Sequence, residues 1–261
     1  MDLRLRGKRA LITGGSKGIG FAIAQALAAE GAAVGLVARD ESGLTEAAER
    51  LAPLKVSVVT VSADVTATEA LERAVDHVAA ELGGLDHLIA NAGGTVGGGN
   101  LTSAEPGDFN ATFALNAGHA AELIRAGLPH LRASGGGAVV IISSVTGMRP
   151  APRTAYAAAK AAEIHLAATA AQELAPLGIR VNAVSPGSIM FPDGGWDNFR
   201  RDHPEAFSAW LARDFPQGRL GSPEEVADVV TFLLSERASW VTGANVPVDG
   251  AQIYPSARRF G

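Results

Sequence analysis

Short apolar runs alternate with longer segments of helical periodicity along the whole chain. The apolar runs cover residues 9–13, 33–38, 56–62, 85–90, 138–143, 179–184 and 245–248. Several of them are continuous rather than alternating, which is typical of parallel strands covered on both faces. This alternation predicts an α/β fold with a doubly wound, mostly parallel seven-stranded sheet and helices on both faces.

Individual residues mark where the predicted helices begin and end. Gly31 follows the first helix, where the chain needs a residue that tolerates a positive φ. Ser222, Pro223 and Glu225 have the order of a helix start with a capping box. The chain contains no internal repeat and no low-complexity linker, so we expect a single domain over residues 1–261.

Composition and charge exclude several functional classes. The chain is 47% hydrophobic and 19% charged, which is typical of an ordered core rather than a disordered segment. Its formal net charge is −5 and it has no basic run, so we expect no nucleic-acid partner. The chain has no cysteine, and its six histidines show no metal-ligand spacing. We therefore expect neither disulfides nor a metal site. Without a signal peptide or a long apolar span, we expect a cytoplasmic protein that contacts no membrane.

The first strand runs directly into a glycine-rich turn, Thr13-Gly14-Gly15-Ser16-Lys17-Gly18-Ile19-Gly20, and a helix follows. Glycines let the backbone turn sharply and lie against a pyrophosphate, and the helix N-terminus offers free N–H groups to the anion. This context is that of a Rossmann dinucleotide-binding domain. Phe21 stands where a Walker loop needs lysine. The competing interpretation is a tight strand–helix turn that binds nothing.

The end of the second strand bears on the choice of cofactor. An NAD site favours an acidic residue there, but Ala38 is followed by Arg39. Together with Lys17 in the glycine turn, Arg39 favours a 2′-phosphate, so NADP(H) is predicted in preference to NAD(H). The alternative is that both cations are ordinary solvated charges, with Asp40 partly neutralising Arg39.

Tyr156 and Lys160 lie four residues apart at the start of an alanine-rich helix, and therefore share one helix face. A phenol is a weak acid, with an ordinary pKa of about 10. A nearby ammonium favours its ionised form, which suits proton exchange with a carbonyl oxygen. Taken alone, such a pair could equally be a surface pair. However, Ser143-Ser144 and Asn91-Ala92-Gly93 end two predicted strands, at the edge where ligands bind in open α/β sheets.

With these residues the chain resembles the short-chain dehydrogenase/reductase family over nearly its full length, and within it the 3-oxoacyl-carrier-protein reductases. No single motif is decisive, but their order along the chain is highly specific. The matching motifs are Thr13-Gly14-x-x-x-Gly18-Ile19-Gly20, Asp64-Val65, Asn91-Ala92-Gly93, Asn116, Ser144, Tyr156-x-x-x-Lys160, Asn182 and Pro186-Gly187.

The resemblance implies a role for each matching residue. Tyr156 would be the general acid in reduction, and Lys160 would acidify it and hold the nicotinamide ribose. Ser144 would hydrogen-bond the carbonyl oxygen, and Asn116 would hold a water that connects Lys160 to solvent. The other implied cofactor contacts are Gly14, Ser16, Lys17, Gly18, Ile19, Gly20, Arg39, Asp64, Val65, Asn91, Ala92, Gly93, Pro186, Gly187 and Ile189, besides Tyr156 and Lys160 themselves.

Two departures from the family pattern matter. Ser144 lies one residue closer to Tyr156 than is usual, and Ser143 has the usual spacing. We assign the catalytic role to Ser144 because the local pattern Ser144-x-x-Gly147 matches the family, which places a deletion in the following loop. Phe191 replaces a threonine that is frequent in the family, so one hydroxyl contact to the cofactor is expected to be missing.

Aromatic residues are concentrated between positions 191 and 215, within the segment 190–218 where the family keeps its substrate lid. One interpretation is an apolar lid over a bulky carbonyl substrate, and the other is that these rings only pack a helix onto the body. The arginines of the segment, at positions 200, 201 and 213, could contact an anionic substrate, although exposed helix charges are the simpler account. The aromatic residues are Phe191, Trp196, Phe199, Phe207, Trp210 and Phe215.

The sequence therefore predicts an NADPH-dependent enzyme that reduces a ketone or aldehyde, possibly a 3-oxoacyl thioester, to an alcohol. The alternatives are an NADP(H)-binding sensor without turnover and an NAD-dependent alcohol dehydrogenase of the same family. The resemblance also implies a homo-oligomer, a tetramer. The alanine-rich segment 155–175 is compatible with a subunit interface and equally with packing inside one subunit.

Overall fold

The structure is a computed structural model that describes residues 2–257, so the ends of the predicted domain, residue 1 and residues 258–261, lie outside it. Seven strands form one sheet. Their bounds are β1 Arg9–Thr13, β2 Ala33–Ala38, β3 Val58–Ser62, β4 His87–Ala90, β5 Gly137–Ile142, β6 Ile179–Pro186 and β7 Asn245–Val248.

The sheet has the order β3-β2-β1-β4-β5-β6-β7, and every neighbouring pair is parallel. The chain winds outward from β1 in one direction, then returns through β4 and continues in the other. Such a reversal opens a crevice at the carboxyl ends of β1 and β4, where ligands of doubly wound sheets bind. The predicted fold class is confirmed.

Helices cover both faces of the sheet and divide the apolar core into two clusters. Side chains of α1, α2 and α9 pack on one face, and those of α3, α5 and α6 pack on the other. The bounds are α1 Gly18–Ala29, α2 Glu41–Leu51, α3 Thr68–Leu82, α4 Asp108–Phe113, α5 His119–Ala133, α6 Thr154–Leu174, α7 Gly195–Asp202, α8 Pro204–Asp214 and α9 Pro223–Leu234.

The predicted helix signals act as expected. Gly31 has a φ of +83°, and Ser222 and Glu225 form both hydrogen bonds of a capping box at the start of α9. Strands β1, β2 and β7 have the predicted bounds, and the bounds of the other four shift by one or two residues, because apolar character alone does not show where pairing begins. The shift at β5 matters most: the strand ends at Ile142, which leaves Ser143 and Ser144 in the turn that follows.

The segment between β6 and α9 forms a small structure of its own. Helices α7 and α8 enclose a third apolar cluster, separate from the two clusters on the sheet, built on Phe207, Trp210, Phe215 and Leu220. Trp210 is 1% exposed, and its ring centroid lies 4.3 Å from that of Trp196. This segment covers the carboxyl edge of the sheet next to the crevice.

Candidate active site

A cavity of about 630 Å³ opens at the carboxyl edge of the sheet. That volume is within the range of small-molecule sites. It lies between the strand ends, the start of α6 and the segment that carries α7. Among its lining residues are nine that the sequence predicted: Ile19, Asn91, Gly93, Ser144, Tyr156, Lys160, Pro186, Gly187 and Ile189.

The glycine turn packs so closely that a side chain has no room at Gly20 and would be strained at Gly18. A Cβ on Gly20 would lie 2.2 Å from the Gly14 carbonyl oxygen, and Gly18 has a φ of +56°. Asn91 Nδ2 donates to the carbonyl oxygens of Thr13 and Gly14, at 2.9 and 3.2 Å, which fixes the turn against the end of β4. The turn is therefore a rigid backbone surface.

The N-terminus of α1 has the features of an anion site. No side chain caps it, and no acidic residue occupies its first turn. Its N–H groups and the positive end of its dipole remain available to a phosphate. These features fit the pyrophosphate of a dinucleotide. The ring of Phe191 packs over Gly18, where a Cβ would meet it at 3.1 Å.

Thr13 connects the turn to the interior of the protein. Its hydroxyl accepts from the backbone N–H groups of Asn91 and Ala92 and contacts His119 Nε2 at 3.1 Å. The other ring nitrogen of His119 lies 2.9 Å from the Asn116 carbonyl oxygen. Burial, aided by the positive charge of Lys160, lowers the pKa of His119 to about 4. This histidine is therefore a neutral structural link at neutral pH.

The predicted ribose and adenine contacts lie beyond the turn, outside the cavity lining. Arg39 is exposed and forms no ion pair with the described residues. The carboxylate of Asp40 instead accepts from the Ser42 hydroxyl at 2.8 Å, an interaction that lowers the pKa of Asp40. Asp64 accepts from the backbone N–H and hydroxyl of Thr66, and these bonds lower its pKa. Val65 is buried in the core.

Tyr156 and Lys160 are brought together by the first turns of α6. Lys160 Nζ lies 5.6 Å from the centroid of the Tyr156 ring and donates to the Ile142 carbonyl oxygen at 2.9 Å. Tyr156 is half-buried and lines the cavity. A Cβ on Gly93 would lie 3.0 Å from Lys160 Nζ, so this glycine lets the lysine reach the cavity.

Lys160 has a buried partner that the sequence reasoning missed. Its ammonium contacts both carboxylate oxygens of Glu163, at 3.0 and 2.9 Å, and both side chains are almost fully buried. Burial acts to lower the pKa of Lys160, but contact with Glu163 and Tyr156 outweighs it and raises that pKa. Burial raises the pKa of Glu163, and Lys160 opposes the rise. The spacing of three residues on one helix was the available signal.

The two serines after β5 have different surroundings. Ser143 is buried, and its hydroxyl donates to the Lys160 carbonyl oxygen at 2.7 Å. Ser144 is half-buried and lines the cavity with Tyr156, and its Oγ accepts from the backbone N–H of Thr146 at 3.2 Å. Ser143 lines the cavity as well, but its hydroxyl proton is already used in the bond to the Lys160 carbonyl oxygen. The assignment of the catalytic role to Ser144 stays a prediction.

Asn116 lies in a π-helical turn, Ala114–Gly118, between α4 and α5. Its side chain is completely buried and bonds to the loop that follows β4. Nδ2 donates to the carbonyl oxygens of Gly94 and Thr112 at 2.7 and 2.6 Å, and Oδ1 accepts from Gly94 N at 3.1 Å. These bonds position the loop after Asn91-Ala92-Gly93, a role in addition to the water-holding role that the resemblance implies.

The rings of the aromatic segment divide between the cavity lining and the interior of the segment. Trp196 and Phe199 line the cavity, whereas Phe207, Trp210 and Phe215 pack inside the segment. Its arginines are engaged by carboxylates, as expected of exposed helix charges. Arg200 forms an ion pair with Asp197, and Arg201 pairs with both Asp193 and Asp197. Arg213 pairs with Asp214.

The described residues contain no group of three potential metal ligands. Within the same part of the chain, no helix is both long and apolar enough to cross a bilayer.

Comparisons with known proteins agree with this geometry. A family model described as enoyl-(acyl carrier protein) reductase matches residues 14–251. The cis-4-hydroxycyclohexanecarboxylate dehydrogenase of Sinomonas cyclohexanicum is 36% identical over 242 residues, covering 92% of this chain and 94% of that protein. The 3-oxoacyl-[acyl-carrier-protein] reductase of Thermotoga maritima is 36% identical over 255 residues, covering 96% and 100% of the two chains.

A solved structure gives the same result. L-sorbose reductase from Gluconobacter frateurii, complexed with NADPH and L-sorbose, superposes with a TM-score of 0.90 at 35% identity, covering 97% of this chain and 99% of that one. The chain therefore belongs to the short-chain dehydrogenase/reductase family. It is an NAD(P)-dependent oxidoreductase that acts on alcohol and carbonyl groups.

Proposed function

We propose that the protein is an NADPH-dependent carbonyl reductase that converts a ketone or aldehyde to an alcohol, with Tyr156 as the general acid. The observation that carries this proposal is the convergence of Ser144, Tyr156 and Lys160 on one cavity beside the glycine turn. A 3-oxoacyl thioester remains one candidate substrate, in view of the relative from Thermotoga maritima.

The proposed chemistry divides the work between the cofactor and the chain. The glycine turn, Tyr156 and Lys160 would hold a reduced nicotinamide cofactor, which would supply the hydride that the carbonyl carbon accepts. Ser144 Oγ hydrogen-bonds the carbonyl oxygen and stabilises the negative charge that develops there. Tyr156 Oη donates the proton to that oxygen, and the ammonium of Lys160 stabilises the phenolate left behind.

The proposed preference for NADPH rests on Arg39 and Lys17, two exposed cations near the end of β2 and in the glycine turn. Arg39→Asp should shift the ratio of kcat/KM for NADPH over NADH toward NADH by at least about tenfold, since a cation–phosphate contact becomes a repulsion. Steady-state kinetics with both cofactors measures this ratio. An unchanged ratio would place the 2′-phosphate elsewhere.

The alternative is a sensor that binds NADP(H) without turnover, which needs the glycine turn but not the acid–base residues. Loss of NADPH absorbance in the presence of a panel of ketones separates the two functions. The reductase proposal expects turnover that depends on the ketone, and a sensor would bind NADPH and leave its absorbance unchanged with every ketone.

We also propose that the chain forms one domain, with a substrate lid over residues 190–218. Four copies would assemble into a homotetramer in the cytoplasm. The lid proposal is supported by the separate aromatic cluster of α7 and α8, and the tetramer by the resemblance to the family. Light scattering on the purified protein tests the assembly, and a monomeric mass would contradict it.

A further inference from the structure

We propose that Arg153 determines the substrate specificity of this cavity by binding a carboxylate carried by the carbonyl substrate. The inference rests on the proposed function, because it concerns the same cavity. It predicts that the enzyme selects ketones with a carboxylate over neutral ketones of the same shape.

The charge of the cavity supports this proposal. Among its described lining residues there is no aspartate or glutamate, and the only cationic side chains are those of Lys160 and Arg153. Lys160 is paired with the buried carboxylate of Glu163 at 2.9 Å. Arg153 is exposed and forms no ion pair with any described residue, so it supplies the uncompensated charge among the lining residues.

The backbone holds Arg153 in a defined place. It is the residue before α6, and its N–H donates to Asn100 Oδ1 at 2.8 Å. The stem of its side chain packs against Gly99, where an added Cβ would lie 3.2 and 3.3 Å from Arg153 Cβ and Cγ. Ala155 N donates to the Gly99 carbonyl oxygen at 3.1 Å. The backbone and the stem of Arg153 are therefore fixed by contacts with Gly99 and Asn100, two residues that also line the cavity.

The conformation of Arg153 is costly for an arginine. Its φ is +68° and its ψ +64°, in the left-handed region that favours glycine and asparagine. Backbone strain of this kind clusters at ligand sites. A helix start needs no guanidinium, so the residue type is explained by what the side chain does rather than by the turn.

The neighbouring Arg149 shows the contrast. Its guanidinium donates to the Gln252 carbonyl oxygen at 2.6 Å and forms an ion pair with Asp249 at 3.3 Å, so its charge is used within the protein. Arg153 leaves its fork of donors for a ligand, and a carboxylate can accept two parallel bonds from such a fork. The rings of Trp196 and Phe199 line the same cavity and suit the apolar body of that ligand.

The test compares keto acids with their methyl esters: 4-oxopentanoate, 4-oxocyclohexanecarboxylate and 4-acetylbenzoate, each at saturating NADPH. Several carbonyl-to-carboxylate spacings are included so that one matches the cavity. For at least one pair, wild-type kcat/KM should favour the acid at least about tenfold, and Arg153→Asn should reduce that ratio at least about tenfold, mainly through KM. Asparagine tolerates the left-handed backbone, so the start of α6 is preserved.

Two control variants sharpen the result. Arg153→Lys keeps the charge but loses the fork, and should retain part of the preference for the acid. Arg73→Gln removes an exposed cation from α3, and should leave the acid-to-ester ratio unchanged. Turnover of ketones without a preference for any acid, or a preference that survives Arg153→Asn, would overturn the inference and leave the proposed function standing.

If no ketone is turned over, the proposed function is contradicted. The role of Arg153 can still be tested by a binding measurement. Trp196 lines the cavity, so its fluorescence reports a bound ligand in the NADP(H)-loaded protein. The acids should quench it at lower concentration than their esters, and Arg153→Asn should abolish the difference. Equal binding of acid and ester by the wild type would overturn the proposal.

Discussion

The glycine turn and the aromatic segment 190–218, which we propose as a substrate lid, flank the same cavity, but different forces determine their structures. In the turn, backbone atoms meet backbone atoms, and Gly20 leaves no space for a Cβ beside the Gly14 carbonyl oxygen. In the lid, side chains meet side chains, with Trp210 buried among Trp196, Phe207 and Phe215. The turn is suited to one invariant anion, whereas apolar packing of the lid can be adapted to different substrates.

The largest effect is expected in the turn, from Gly20→Ala. A Cβ 2.2 Å from the Gly14 carbonyl oxygen requires the backbone to move, which would spoil the phosphate surface. Affinity for NADPH should fall about 100-fold or more. Titration of NADPH fluorescence measures it.

Gly195→Ala is the matched control for this change. Its Cβ would meet no atom within 4 Å, and it lies at the start of α7. The dissociation constant for NADPH should stay near that of the wild type. If Gly20→Ala bound NADPH as tightly as the control, the turn would not be the phosphate site.

Trp210→Ala, in the lid, should weaken the use of ketones rather than the binding of NADPH. Removing a large buried ring costs several kcal/mol in a packed cluster, about 3–5 for a phenylalanine or tryptophan. Trp196 would lose its stacking partner, so KM for ketones should rise about tenfold while NADPH affinity changes little. Steady-state kinetics and an NADPH titration, with Trp210→Phe as the milder variant, separate the two. If KM for ketones and the dissociation constant for NADPH rose by the same factor, the division between turn and lid would be contradicted.

A smaller effect is expected outside the two regions, at Glu163, which is buried in α6 beside Lys160. Its carboxylate lies 2.9 Å from Lys160 Nζ and weakens the positive field that the ammonium exerts on the Tyr156 phenol. Glu163→Gln removes that negative charge, which favours the phenolate. The rising limb of the pH profile for alcohol oxidation should therefore move to lower pH, by about one unit.

The titratable groups that face Glu163 and Lys160 are Tyr156 on the same helix and His119 on α5. The pKa of His119 is lowered to about 4, so this residue stays neutral through the assay range and does not contribute. Glu173→Gln, on the exposed face of α6, is the control and should leave the profile in place. A profile that does not move in Glu163→Gln would mean that this carboxylate is uncharged or not sensed by the phenol.

Features with a fixed spacing along the chain could be predicted from the sequence. The order of strands and helices, the glycine turn and the Tyr156–Lys160 pair have local signatures, since each depends on a fixed spacing along the chain. Arg153 carries no such signature, and Glu163 carries only its spacing of three residues from Lys160, which does not show that the pair is buried. Their roles depend on burial beside Lys160 and on an unusual backbone conformation, neither of which is visible in the residue type.

The exact strand ends show the same limit. The pairing of β5 with β6 stops at Ile142, and both Ser143 and Ser144 then line the cavity, with the Ser143 hydroxyl bonded to the backbone of α6. The apolar run ends at the same residue, Ile142, so both serines follow it and apolar character cannot separate them. The assignment of the catalytic role to Ser144 therefore rests on the local pattern Ser144-x-x-Gly147 and stays a prediction.

The central claim is that the Tyr156 hydroxyl transfers the proton. Its most direct test is Tyr156→Phe, assayed for NADPH-dependent ketone reduction and for NADPH binding on the same preparation. We expect kcat to fall about 1000-fold, within the range for loss of a general acid, and the NADPH dissociation constant to stay within about threefold of the wild-type value. Undiminished ketone reduction by Tyr156→Phe would contradict the account.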